Sequence, residues 1–201
     1  TLARMVSIQL QRFGVMVDDS AGKPLNTSPP ACFLRLVVEM VASRAAPSAL
    51  LAVLRHPLAA AGINPAQCRS LSRELEIFLL RGIRRDGGLA GLRKAAIAEE
   101  KTSTALVDFL TTLEEKSAEF SSLFAPHFNA TLQQLLTAHI AFAEWLAGSD
   151  TQGGAQRLWA GEAGNALAEI IAGWNMQADI LPPIDTLTYP ALFDTLLATE
   201  T

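Results

Sequence analysis

The stretch Leu50-Leu51-Ala52-Val53-Leu54-Arg55-His56-Pro57-Leu58-Ala59-Ala60-Ala61-Gly62 constrains this chain most. It is the best candidate for a membrane span, and Arg55, His56 and Pro57 interrupt it well short of the ~20 apolar residues a span requires. It therefore reads as a buried helix that stops at Arg-His-Pro-Leu and restarts. Ala and Leu dominate the composition, and Val, Ile, Thr and Tyr never gather into alternating runs, which favours helix over sheet. Half of the 201 residues are apolar and 18% are charged, enough for a core of one large domain or two small ones. The N-terminus, Thr1-Leu2-Ala3-Arg4, has neither an initiator Met nor a signal-peptide apolar region and reads as an internal cut point. The two cysteines, Cys32 and Cys68, lie on apolar faces of predicted helices and suit a reduced, cytoplasmic setting.

Periodicity and punctuation give the elements. Residues 1–12 carry Leu2, Val6 and Leu10 at helical spacing, and Val15-Met16-Val17 is a strand candidate ahead of the loop 18–24. Ser28-Pro29-Pro30 opens a helix with the buried stripe Phe33, Val37, Met40 and Val41. Asn64-Pro65 opens another, with Cys68, Leu71, Leu75, Phe78 and Leu79 inward and Gly82 as its stop. A short helix is expected over 89–98. Ser103 caps a longer one with Leu106, Phe109, Leu110, Leu113, Phe120 and Phe124. Further helices are expected over 131–147, 162–178 and 189–198, and residues 148–154 read as the most linker-like segment.

Charge is uneven. Residues 31–101 hold eleven cations and six anions, whereas residues 102–201 hold two cations and twelve anions. Arg69, Arg73, Arg81, Arg84, Arg85, Arg93 and Lys94 fall within 26 residues, and with Arg55 they are the candidate contacts to DNA phosphate or to a protein partner. An ordinary solvated helix face with an Arg73–Glu76 i,i+3 pair would give the same pattern. Catalytic and metal signatures fall short. There is no G-x-x-x-x-G-K-[ST], no G-x-S-x-G and no CxxC or HxxxH spacing. The adjacent acids Asp18-Asp19, Glu99-Glu100 and Glu114-Glu115 read as solvated surface. His139 falls on an apolar stripe and reads as a buried, hydrogen-bonded side chain, and His127, after Pro126, as an exposed one. A phosphate could sit at the start of the helix in Gly88-Leu89-Ala90-Gly91-Leu92-Arg93.

Several ordered pieces resemble one family over nearly the whole chain. They are residues 12–25 (Arg12-Phe13-Gly14-Val15-Met16-Val17-Asp18-Asp19-Ser20-Ala21-Gly22-Lys23-Pro24-Leu25), Phe33-Leu34-Arg35-Leu36-Val37, Leu54-Arg55-His56-Pro57-Leu58-Ala59-Ala60-Ala61-Gly62, Leu80-Arg81-Gly82 with Gly88-Leu89-Ala90-Gly91-Leu92-Arg93, Trp159-Ala160-Gly161-Glu162-Ala163-Gly164 and Tyr189-Pro190-Ala191-Leu192-Phe193. Their order and spacing resemble the AddB-type subunit, in its alphaproteobacterial form, of the bacterial helicase–nuclease that repairs double-strand breaks. The resemblance implies a parent subunit with an inactivated superfamily 1 helicase region and a C-terminal nuclease domain holding an iron–sulfur cluster. That subunit would work with an AddA-type partner and help read a recombination signal in single-stranded DNA. This chain would then be a non-catalytic internal segment, with the nuclease motif and cluster cysteines outside it and no cofactor of its own. The expected fold is mainly α: residues 1–28 a helix–strand remnant of a RecA-like domain, residues 29–180 an irregular multi-helix domain like a helicase 2B insertion, and residues 181–201 an exit segment and closing helix. Two rival readings stay open. One is a free-standing ligand-binding or interaction module with a pocket lined by Phe33, Phe78, Phe109 and Trp174. The other is an enzyme acting through Asp18, Asp19 or His56.

Overall fold

In the computed structural model the helix α1, Pro29–Ala42, is apolar on nearly every side, and the other helices are arranged around it. Past its first residue only Arg35 and Glu39, one turn apart, are exposed along it, whereas Phe33, Leu34, Val37, Val38, Met40 and Val41 are buried. A helix that is hydrophobic all round must be covered all round. The structure describes Phe13 and residues 24–81, 87–126 and 128–199, so the expected helix over 1–12 and strand over 15–17 lie outside the described residues. After α1 come α2, Pro47–Leu54; α3, Pro65–Leu75, which widens into a π turn over Glu76–Leu80; α4, Gly88–Ala98; and α5, Thr104–Ser122. Then follow α6, Leu132–Ala147; α7, Gly154–Leu158; α8, Gly161–Gln177; and α9, Tyr189–Thr199. Two-residue strands, β1 (Asn129–Ala130) and β2 (Ile184–Asp185), pair antiparallel. The chain is mainly helical, as its composition requires, and α1 packs against α2, α5, α6, α8 and α9.

The helix starts follow the capping chemistry legible in the sequence. Ser28 accepts from the Ala31 amide ahead of Pro29 and Pro30, and Asn64 Oδ1 accepts from the Ala66 amide at 2.9 Å. Ser103 Oγ accepts from Leu106 N at 3.1 Å, and Thr131 with Gln134 closes a capping box. Glu74 of α3 also reaches Ser103, accepting from its amide at 2.6 Å and its hydroxyl at 3.0 Å, so the cap of α5 is tied to α3.

Two expectations are corrected. The helix over 49–54 does stop at Arg55, but it does not restart at Leu58; the next helix opens at Pro65. The intervening turn instead donates its amides to the end of α6. Ala60 N and Ala61 N bond to Leu146 O at 2.9 and 2.8 Å, and Gly62 N bonds to Gly148 O at 2.7 Å. Gly148 N covers Glu144 O and Trp145 O, and the Arg157 guanidinium covers Ala147 O. All four carbonyls that a helix end leaves open are thereby satisfied. Ala59, Ala60 and Ala61 are buried there, because only small side chains let two backbones meet this closely.

Nor is the segment 148–154 a linker. Ser149 N donates to Gln152 O at 2.9 Å, and Ser149 Oγ accepts from the amides of Thr151 and Gln152. This turn folds α7 back onto α6 so tightly that a Cβ on Gly154 would lie 1.5 Å from Glu144 O. A Cβ on Gly164 would lie 2.4 Å from the Trp159 carbonyl carbon.

At the centre His139 is fully buried, with Nε2 3.0 Å from Leu34 O of α1 and Nδ1 3.1 Å from Tyr189 Oη of α9. A carbonyl can only accept, so Nε2 carries the proton and Nδ1 accepts from the phenol. Phe120 stacks on the imidazole at 5.1 Å and Phe193 meets it edge-on at 4.9 Å. The expected buried, hydrogen-bonded His139 is what the structure contains.

This packing generates two predictions. Burial pushes His139 down to about 4 against an ordinary 6.5. Its folded pKa is depressed, so its contribution to stability is full above pH 6.5 and disappears as pH falls from there to 4. The difference amounts to roughly 3 kcal/mol at ~1.4 kcal/mol per pH unit. Urea unfolding at about pH 7 and about pH 4.5 should show this loss in the native chain and its absence in His139→Leu, which is less stable at neutral pH; equal slopes in both would refute the assignment. Gly154→Ala should cost about 3 kcal/mol or more through steric conflict with Glu144 O. Gly173→Ala, where an added Cβ meets nothing within 4 Å, should stabilise α8 by up to ~1 kcal/mol; the pair of melting curves checks both signs.

Candidate nucleic-acid interface

The candidate cations spread over α2, α3, the π turn and α4, and the structure separates them into two kinds. Arg55, at the end of α2, and Arg81, just past the π turn, meet at one carboxylate. Arg55 bonds Glu76 Oε2, and Arg81 Nη2 lies 3.9 Å from Glu76 Oε1. The expected Arg73–Glu76 pair is replaced by these two, because Glu76 sits where the helix widens into the π turn and packs toward the end of α2. Arg93 of α4 is half-buried and donates to Glu114 of α5 at 2.7 Å, joining two helices that pack along their length. Arg69, Arg73 and Lys94 are exposed, and among the described residues none of them forms an ion pair. Arg84 and Arg85 lie outside the described residues.

The local reason is plain on α3. Cys68, Leu71, Ser72 and Leu75 face the core, with Ser72 Oγ donating to Cys68 O at 2.7 Å. Arg69 and Arg73, one turn apart, therefore fall together on the opposite, solvent face. The neighbouring acid Glu74 is turned toward the α5 cap. What remains is a stretch of α3 surface with two cations about 6 Å apart along the helix axis, suited to point contacts with phosphate oxygens rather than to reading bases.

Those residues of the rival readings that the structure describes are engaged within the fold. His56 is half-buried and burial lowers its pKa; its Nδ1 accepts from Leu58 N at 3.3 Å and its ring lies 5.1 Å from that of Phe33. It braces the turn after α2. Asp18, Asp19 and His127 lie outside the described residues. Phe33 and Phe109 are buried in the core, Phe78 and Trp174 pack partly buried against it, and Trp174 meets Phe193 edge-on at 6.0 Å. Open grooves run instead along α1 and α9, on either side of the Arg35–Asp194 ion pair at 2.5 Å, and none of those four aromatics lines them. Cys32 borders one groove half-exposed, whereas Cys68 is buried and its thiol is pushed up by that burial. Among the described residues no cluster of three or more His, Cys, Asp or Glu could hold a metal ion, and no helix is long and apolar enough to cross a membrane.

Sequence reasoning missed the ties that decide which cations stay free. Arg55 and Glu76 are 21 residues apart, as are Arg93 and Glu114, and Glu74 and Ser103 are 29 apart. No helical spacing links such pairs. When the chain is compared with known proteins, no family model, no curated protein and no solved structure matches it.

Proposed function

We propose that this chain is a non-catalytic helical scaffold segment of an AddB-type helicase–nuclease subunit acting in double-strand break repair. In this reading it presents the cationic side of α3 to DNA phosphates or to the AddA-type partner. The observation that carries the DNA contact is the pair Arg69 and Arg73, exposed on one face while the neighbouring acids Glu74 and Glu76 are engaged within the fold. Two further features support a structural role. The side chains of His139, Tyr189, Glu144 and Arg157 each bridge one element to another, Glu144 by accepting from the Trp159 indole at 2.6 Å. Two of the pieces that carry the family resemblance include close packing: Gly164 lies against the Trp159 backbone, and Tyr189 and Phe193 are buried in the core. An iron–sulfur cluster and nuclease chemistry belong, in this reading, to parts of the parent subunit beyond this chain.

Fluorescence anisotropy with a DNA hairpin at low salt tests the reading. Binding should weaken at least about tenfold in Arg69→Glu/Arg73→Glu, and the slope of log affinity against log salt should shrink by about 2, one unit for each phosphate that is no longer neutralised. No binding by the native chain, or binding indifferent to the double charge reversal, would remove the DNA role.

A further inference from the structure

The end of α8 and the segment leading into α9 leave large apolar side chains in solvent. Met176 is 80% exposed, Ile180 82%, Leu181 47% and Leu187 60%. Phe128, 41% exposed, stands beside them, since its carbonyl accepts from the Thr186 amide and hydroxyl at 3.4 and 3.2 Å. Elsewhere the core closes well, and exposed side chains such as Ile77 and Ile97 stand singly on α3's extension and α4. Scattered apolar residues need no explanation, but a gathering of this kind marks a contact surface.

Charge says what can cover it. From Leu158 to Thr199 the sequence has five acids, Glu162, Glu169, Asp179, Asp185 and Asp194, and no lysine or arginine. Asp194 is taken by Arg35 of α1. Asp185 lies on β2 between Leu181 and Leu187, and Glu169 is exposed two turns before Met176. An isologous contact between two copies would bring this acid-bearing surface against the same surface of the second copy. An anionic lipid surface would be repelled for the same reason. A partner bearing cations around an apolar stripe meets both demands. We infer that the surface formed by Phe128, Met176, Ile180, Leu181 and Leu187 docks a basic amphipathic helix of another protein. This surface lies apart from α3 and does not rest on the DNA-contact reading.

The test uses the full chain and a labelled amphipathic helical peptide built of leucine and lysine, with a leucine–glutamate peptide of the same pattern as comparator. Anisotropy should report saturable binding of the lysine peptide alone. It should weaken at least about tenfold in Ile180→Ser/Leu187→Ser, which leaves the charge unchanged, and stay as in the native chain in Ile97→Ser. Glu169→Gln should reduce the salt dependence. Matching melting curves confirm that these solvent-facing substitutions leave the fold intact. Equal binding by the native chain and the double variant, or equal binding of the two peptides, would overturn the inference. So would sedimentation showing native self-association that the double variant abolishes, since a second copy would then be the occupant.

Discussion

A neutral imidazole sits where three helices meet, and the arrangement around it depends on its two hydrogen bonds. His139 of α6 donates through Nε2 to a carbonyl of α1 and accepts through Nδ1 from Tyr189 of α9. Both shifts oppose ionisation: burial lowers His139 and raises Tyr189. A buried polar group without a partner costs roughly 1–3 kcal/mol. Sliding α9 by one turn along α1 would orphan the phenol and the imidazole Nδ1 together, so this hydrogen bond fixes the register of α9 where the less directional apolar contacts of Phe193 and Leu197 would not. The stacked Phe120 ring, only 6° from parallel, excludes water from the same point.

The same economy extends to the surface. Helix ends are joined by side chains from other elements: Glu74 to the start of α5, Arg157 to the end of α6, Glu144 to Trp159. Each tie removes a charge from the pool that could neutralise its neighbours. Neither these ties nor the exposed ion pairs Arg35–Asp194 and Arg55–Glu76 are a main source of stability, an exposed ion pair being worth typically under ~1 kcal/mol. Their larger effect is on the outer field, because Glu74 and Glu76 turn inward or toward Arg55 and leave Arg69 and Arg73 facing solvent.

Most of the helices were legible because their signals are local. A cap, a first-turn proline and an apolar stripe lie within a few residues of each other, and Ser28, Asn64, Ser103 and Thr131 all act as their types suggest. The expected ranges differ from the observed helices by a residue or two at their ends, as helix termini generally do. What depended on distant partners was not legible. The turn after Arg55 looked helical by composition, yet its amides belong to a helix end more than eighty residues onward. Gly148, Ser149 and Gly154 have the composition of a linker, and only the contact of Gly154 with Glu144 shows that glycine is there for lack of a side chain. Two-residue strands such as β1 and β2 carry no periodicity at all. At the candidate interface, the exposed face of Arg69 and Arg73 could be read from helical spacing, whereas the capture of Arg93 by Glu114 could not.

The charge asymmetry of the sequence now has a physical form. The cations concentrate on α3 and its neighbours, and the acids on the later helices, where the apolar surface at the end of α8 also lies. Within one folded unit such a separation lowers stability, since like charges are gathered rather than alternated. A core closed around α1 can tolerate that cost, because its stability rests on burial and on the hydrogen bonds of His139 rather than on surface pairing. The two surfaces then differ in what they can attract. The side of α3 offers cations with little apolar area, which suits a polyanion; the end of α8 offers apolar area among acids, which suits a basic helix. On the two proposed readings together, the chain would hold two unlike partners at a fixed separation, and rigid packing between the surfaces is the property that such a role requires.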